Sequence, residues 1–534
     1  MEQMKFTEDL LKQMPQEALI QLVLMLQQNI NQLNQNVELL TEQIKIMNQR
    51  NYGRKTEKAS ELFELQHLDL TFNEAECTAD ENEPEPTIEN LPKKKKEKGH
   101  KENNLKKITN HREVLIEMTD EELNVKYGEG KWKKLPYETI VKLEHHPACF
   151  EVVTYKIGVY AIDDNQTIVR AEKPKELIPG SIATPSLVAS IMFGKYVNAL
   201  PLYRQEQAYK ANDVNISRQT MANWTINVGL TYLKPLWETL KKEMMDSPII
   251  NADETPCLVN KDGRAAGSKS YMWVYRSDEN KKIVVYDYQR TRKEEHPREF
   301  LADYSGILTT DGYQVYHTLE NNNPDKFIVA GCYEHLKRKF AIEVKAIGKQ
   351  KVKGTLAEQA VLKIANLYHI DNKGKDLPLE ERKEYRQKIV APFVDEFFSW
   401  VRENIDKVPS KSETGKGFSY ALNQEKYLRV FLTNPIIPMD NNAAERAIRP
   451  FCIGKKNWLF MDTLKGAEAS AIIYSIVETA KANNLRLYDY LRYILEELPN
   501  YVDGAKNEIP SNLLPWSEDL PIELRKSISC WTFL

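Results

Sequence analysis

Three carboxylates stand where a fold can bring them together. Asp253 closes a short apolar run, Ile249-Ile250-Asn251-Ala252, and Asp311 closes another, Ile307-Leu308-Thr309-Thr310. Glu445 lies in Asn442–Ile448, which has a helical pattern. Short apolar runs bounded by turn residues read as buried strands, and Gly312 lets the chain turn away after the second acid. Carboxylates so placed are hard oxygen donors of the kind Mg²⁺ prefers. Two such ions about 3.5–4 Å apart activate a water and steady the leaving oxygen in phosphodiester cleavage, with no need of His or Cys ligands. One acid at a strand end says little, since each could equally be a surface carboxylate or a helix cap. The ordered set of three says more. Glu254 and Asp440 are the nearest rivals as ligands, and Asp440 alternatively caps the helix carrying Glu445. Arg446, Arg449, Lys455 and Lys456 follow the third acid and would face a substrate with one charge per phosphate. Arg449, four residues after Glu445, alternatively pairs with it.

The elements that must position these groups form a recognisable order. After the first apolar run come strand patterns at Tyr271 to Tyr275 and Ile283 to Tyr288, then the run before Asp311, then Phe327 to Ala330. Residues 341–427 read as mostly helical, with Ala357 to Tyr368 and Glu380 to Glu403 the clearest stretches. Three antiparallel-type strands followed by strands alternating with helices is the order of a ribonuclease-H-like sheet. The long interval between Asp311 and Glu445 fits a helical insertion.

Upstream, Leu202 to Ala211 reads as one helix, Asn212-Asp213 as a turn, and Ser217 as the N-cap of a second helix. The pair is a helix-turn-helix candidate that offers Arg218, Gln219 and Asn223 to a DNA groove, although many such pairs touch no DNA. Phe150 to Ile162 is β-like, with Asp163-Asp164-Asn165 as a turn. His145, His146 and Cys149 lack the second half a zinc site needs. Acidic residues from 73 to 90 give way to Lys93-Lys94-Lys95-Lys96, a linker with a charge switch whose lysines either hold phosphates or are simply solvated. At the start, Leu19, Val23, Leu26, Ile30, Leu33, Val37, Leu40, Ile44 and Met47 alternate steps of four and three. β-branched residues at a with Leu at d favour a parallel two-stranded coiled coil, the alternative being a helix packed on its own domain.

The bulk properties narrow the class. The 534 residues are too many for one core, and a net charge of −3 means that any nucleic-acid contact rests on local basic patches. Six scattered cysteines form no CxxC pair, so neither a disulfide framework nor a cysteine zinc finger is expected. The N-terminus has no signal-peptide layout and no stretch is apolar enough to span a bilayer, which fits a cytoplasmic protein.

Several motifs together resemble the IS66-type, or TnpC-like, transposases of bacterial insertion sequences. Ala252-Asp253-Glu254-Thr255 resembles the first catalytic motif and Thr310-Asp311-Gly312-Tyr313 the second. Asp440-Asn441-Asn442-Ala443-Ala444-Glu445-Arg446-Ala447-Ile448-Arg449-Pro450 resembles the third and is the most distinctive. Leu200-Pro201-Leu202-Tyr203-Arg204-Gln205-Glu206 is similar to the helical entry segment. The run Cys332 to Phe340 is similar to a CxxH-and-basic motif, Glu478-Thr479-Ala480-Lys481 to the C-terminal helical region, and Gly53 to Lys58 to the segment after the coiled coil.

The resemblance implies that Asp253, Asp311 and Glu445 are the metal ligands of a DDE transposase using Mg²⁺, with Mn²⁺ as a substitute. It implies DNA contacts from Lys337, Arg338 and Lys339. His335 reads as an auxiliary positioning or proton-transfer group near the site or, equally, as a packed or solvent-facing histidine, and with Cys332 it is too small a pair for structural zinc. Family members often carry a cysteine zinc module before the helical segment; only Cys149 is present here, so no zinc is expected. The implied partners are the element ends and target DNA, a second copy or higher oligomer through the coiled coil, and small accessory proteins of the same element, with no membrane. The implied location is the bacterial cytoplasm, at the nucleoid when DNA is bound. The expected plan is a coiled coil at 1–58, a linker at 59–110, a β-rich module at 111–176 and a helical DNA-binding segment at 177–245. A ribonuclease-H-like α/β domain follows at 246–465 with its helical insertion at about 341–430, then a C-terminal helical region at 466–534. The rival readings are a nuclease of the same fold that cuts without joining, and a non-catalytic DNA-binding or assembly protein.

Overall fold

A computed structural model describes residues 15–52, 159–162, 167–170, 175–265, 267–347, 352–502 and 508–526. The acidic-to-basic linker, most of the β-rich segment, and His145, His146 and Cys149 lie outside these residues.

Two compact units are distinguished. The smaller, residues 82–175 and 527–534, is described only through a hairpin, β1 (Val159–Ile162) and β2 (Thr167–Arg170), paired antiparallel from Val159↔Arg170 to Ile162↔Thr167. The larger holds everything else. It opens with helix α1, Gln16–Tyr52.

A mixed sheet forms the frame of the larger unit. β3 (Ile249–Lys261), β4 (Lys269–Ser277) and β5 (Ile283–Gln289) make an antiparallel meander. β6 (Gly306–Thr309) then pairs parallel with β3, and β7 (Phe327–Ala330) pairs parallel with β6, giving the order β5-β4-β3-β6-β7. A short β8 (Met461–Thr463) pairs with the far end of β3 through Val259↔Met461. Ile283, Val284, Val285 and Tyr286 on β5 are all buried, the mark of a strand covered on both faces.

Helices cover the sheet. Before it come α2 (Pro185–Met192), α3 (Leu202–Lys210), α4 (Arg218–Val228) and α5 (Lys234–Met244). Ser217 caps α4, its hydroxyl accepting from Thr220 N at 3.1 Å. Between the strands lie α6 (Glu295–Phe300) and α7 (Gln314–Asn322). After β7 come α8 (Tyr333–Ile347), α9 (Leu356–Lys373), α10 (Leu379–Tyr385), α11 (Ala391–Asn404) and α12 (Glu413–Leu428). They share a second core around Phe340, Phe397, Phe398 and Phe418, apart from the main core under the meander. The stretch expected as one helix from Glu380 to Glu403 runs as α10 and α11 joined by a wider turn at Arg386–Val390. There Arg386 is wholly buried and its guanidinium meets both oxygens of Asp371 at 2.7 and 2.9 Å.

α13 (Asn442–Trp458), α14 (Leu464–Ala482) and α15 (Leu487–Glu497) close the unit. α14 lies against β5, where Ser475 Oγ accepts from Tyr286 N at 2.8 Å and Thr479 Oγ1 accepts from Val284 N at 3.0 Å. Those bonds satisfy amide groups of a buried strand.

Candidate functional site: acids at the edge of the mixed sheet

The register of the sheet brings the first two acids level. β3 and β6 pair in parallel through Asn251↔Thr309, and Asp253 and Asp311 each come two residues later. Beyond Asn251 the two strands part, because β6 ends at Thr309 while β3 runs on. Asp253 is therefore inside a thirteen-residue strand rather than at its end, as the sequence suggested. β4 stays paired with β3 as far as Leu258↔Lys269 and holds it extended.

Local bonds fix each carboxylate. Asp253 Oδ1 accepts from Glu254 N at 2.8 Å, and Asp311 Oδ1 accepts from Tyr313 N at 3.0 Å. Gly312 has φ +88°, and a β-carbon there would lie 2.7 Å from the Tyr420 hydroxyl, so the turn after Asp311 admits only glycine without displacement. Tyr420 in turn donates to the Asp311 carbonyl at 2.7 Å.

Glu445 arrives on the first turn of α13, whose start is tied to the sheet. Asn441, fully buried, donates its side-chain amide to Ala252 O at 2.8 Å, and its backbone N–H meets Cys332 Sγ at 3.2 Å. One asparagine thus links the segments that carry Asp253, His335 and Glu445. Asp440 Oδ1 accepts from Asn442 N at 3.0 Å, a turn one residue ahead of the helix; the N-cap position itself is Asn441, whose side chain makes no capping bond, so Asp440 is not the cap the sequence offered.

The electrostatics follow from crowding. Asp253 is raised well above the usual carboxylate range, first by burial and then by Glu254, Asp311 and Glu445. Glu254 is pushed up to about 7, by burial first and Asp311 second, although Arg292 donates to its Oε1 and pulls the other way. Arg292 also lies 3.7 Å over the Tyr313 ring. Glu445 is held by Arg338 at Oε2, and its Oε1 stands 3.4 Å from His335 Nδ1. Glu445 Oε1, His335 Nδ1 and Glu254 Oε2 are buried with no hydrogen-bond partner. Repelling acids with orphaned oxygens fit divalent cations, which satisfy the lone pairs and neutralise the charge at once.

The basic residues separate. Lys337 is buried, its ammonium on Glu334 at 2.5 Å, while Arg338 faces Glu445 and Lys339 lies 5.5 Å over the Tyr420 ring. Arg446 and Lys456 are exposed. Lys455 is anchored on Pro256 O at 2.8 Å. Among the described ion pairs Glu445 pairs with Arg338 and not with Arg449. On α4, Arg218, Gln219 and Asn223 are exposed, with Arg218 over the Tyr203 ring and Gln219 3.4 Å from Asn223 Oδ1. Asn441, Arg292 and Tyr420 escaped the sequence reading. Asn441 stood within the third motif without a role, and no local signal marked the other two.

The architecture and site define a mixed α/β protein that converges acids from a central strand, the end of its parallel neighbour and a later helix. The chain belongs to the IS66 family of transposases: the family model described as "Transposase IS66 family" matches residues 180–469, and the "IS66 C-terminal element" matches 475–516. It is accordingly a transposase of an insertion sequence, of the DDE class. Three relatives come from Sinorhizobium fredii (strain NBRC 101917 / NGR234). The uncharacterized protein y4qI is 26% identical over 91% of this chain and 89% of its own length. The uncharacterized protein y4jD is 28% identical over 66% and 69%, and the uncharacterized protein y4hP is 25% identical over 73% and 72%. No helix among the described residues is long and apolar enough to cross a membrane.

Proposed function

We propose that the protein binds the ends of its own element, cuts them to free 3′-OH groups and joins those groups to target DNA, with Asp253, Asp311 and Glu445 as ligands of Mg²⁺ or Mn²⁺ in a ribonuclease-H-like domain. The observation that carries this reading is the convergence of the three acids at the point where β3 and β6 part. When bound, the metals supply activation of the attacking oxygen and charge stabilisation at the leaving one.

The remaining work falls to this chain. Asp253 and Asp311 hold a fixed spacing because both are set by one sheet register. Glu445 comes from a helix pinned by Asn441 to the strand that carries Asp253, so its carboxylate is placed relative to the same sheet. Arg338, Arg446 and Lys456 have charges that reach toward phosphates, which position a duplex without reading it. Arg218, Gln219 and Asn223 form an exposed polar face for base edges in the major groove. The freed 3′-OH attacks the target phosphodiester in line, so one phosphorus–oxygen bond forms as another breaks and no covalent protein intermediate is needed. α1 pairs two copies so that both element ends are held, with small companion proteins as further partners.

The test uses purified protein, Mg²⁺ and labelled DNA carrying the element ends. Nicks with 3′-OH termini, joined into target and abolished in Asp253→Asn with DNA binding retained, are expected. Cutting without joining would mark a nuclease. Binding without cutting in wild-type protein would mark a non-catalytic assembly protein.

A further inference from the structure

His335 sits on the first turn of α8, facing α13. Its Nδ1 lies 3.4 Å from Glu445 Oε1, yet the two make no hydrogen bond, and both atoms are buried without another partner. Buried polar atoms are nearly always satisfied, so two orphans facing each other call for something that serves both. Two donors on one first-row cation, each at about 2.1 Å, stand roughly 3–3.4 Å apart. The observed separation is of that size.

A third candidate donor is nearby, since Cys332, His335 and Glu445 offer atoms all within 4.8 Å of one another. Cys332 is otherwise engaged. It is fully buried and its sulphur meets Asn441 N at 3.2 Å, which makes it a strut between β7 and α13.

Resting on the reading that Glu445 holds a metal, we infer that His335 Nδ1 is a fourth protein donor, bound to the same ion as Glu445. The site then has two unlike seats. The Asp253–Asp311 side offers only oxygen, as Mg²⁺ prefers, whereas the His335–Glu445 side offers nitrogen with oxygen and favours Mn²⁺ or Co²⁺. Coordination through Nδ1 also fixes the tautomer, placing the proton on Nε2. Arg338 Nη1 lies 3.5 Å from that Nε2, so donor would face donor. Loading the seat therefore turns Arg338 away from His335 Nε2 and leaves it Glu445 Oε2. The competing arrangement has Nε2 accepting from Arg338 and Nδ1 protonated, with His335 only orienting Glu445; it gives no metal–nitrogen bond.

The experiment is Mn²⁺ titration of the full-length protein without DNA, read by electron paramagnetic resonance with ¹⁴N hyperfine detection. Wild type should show imidazole nitrogen coupling on one class of bound Mn²⁺. His335→Ala should lose the coupling and weaken that class by about tenfold or more, while Cys332→Ser keeps both. Bound Mn²⁺ with no nitrogen coupling in wild type overturns the inference and leaves the acid trio standing. Coupling that survives in folded His335→Ala also overturns it. Absence of Mn²⁺ binding in wild type removes the metal reading itself, and the inference with it.

Discussion

Arg338 is the residue on which opposed demands meet. Its guanidinium rests on Glu445 Oε2, while the other oxygen of the same carboxylate faces His335 and would hold the cation, and two cations cannot crowd one carboxylate without cost. Arg338→Gln should therefore tighten Mn²⁺ binding, by roughly fivefold if the partly exposed pair is worth about 1 kcal/mol. The same change should slow end cleavage by about tenfold or more, because a phosphate loses its arginine. Titration calorimetry and single-turnover nicking separate the two effects, and unchanged or weaker metal binding would refute the competition. The acids themselves were legible because each stands among neighbours that chemistry restricts, as with Gly312 beside Asp311. The surrounding residues were less legible. Lys337, Arg338 and Lys339 read alike in sequence, but steps of about 100° around α8 send them in three directions. One is buried on Glu334, one faces Glu445 and one lies over Tyr420. Arg292 meets Glu254 from a loop after β5, a pairing that only the meander creates.

Among the elements, the strands and the first helices were legible because runs of β-branched and aromatic residues and a capping serine mark them. β7 falls on the expected residues, and α4 begins just after Ser217 as its cap predicts. The extent of β3 was not legible. Pro256 argues against a continuing strand, yet the ladder with β4 runs past it, with Thr255, Cys257 and Val259 buried and Pro256, Leu258 and Asn260 exposed. Pairing with a buried neighbour outweighs local propensity there. β5 carries a stability prediction of its own. Asp287, paired across from Trp273, is pushed up to about 6 by burial first, even though Gln289 Nε2 donates to it at 2.8 Å. The unfolded chain ionises this group near its ordinary value of about 3.9 and the folded chain only near 6. The folded state thus loses stability as pH rises between those values, and the loss is complete above the folded pKa. Asp287→Asn keeps an acceptor for Gln289 and removes the charge. It should raise stability at pH 7.5 by about 1–2 kcal/mol, a figure discounted because the carboxyl keeps some access to solvent, and do little at pH 4. Urea melts at both values decide it; equal gains at both would assign the effect to packing.

At the scale of the whole molecule, the question is what holds two element ends in one complex. α1 is 37 residues long and so about 55 Å, far longer than a helix needs to be to cap its own domain. Along it Val23, Leu26, Ile30, Leu33 and Val37 are 50–65% exposed, in the four-three spacing of a coiled-coil seam. Five apolar side chains left half or more exposed on one stripe are a surface that a second α1 would cover, each burial contributing about 1–2 kcal/mol. The β-branched a positions, Val23, Ile30 and Val37, suit two parallel strands. Ile30→Lys with Val37→Lys places like charges in the seam without touching either core of the main unit. The doubly substituted full-length chain should sediment as a monomer at micromolar concentration, where wild type sediments as a dimer. It should still bind a single element end, since α4 and the acid site are untouched, while paired-end joining falls by about tenfold or more. A wild-type monomer would show that the seam is covered from within the chain, and a dimer that survives the lysines would move the interface to another surface.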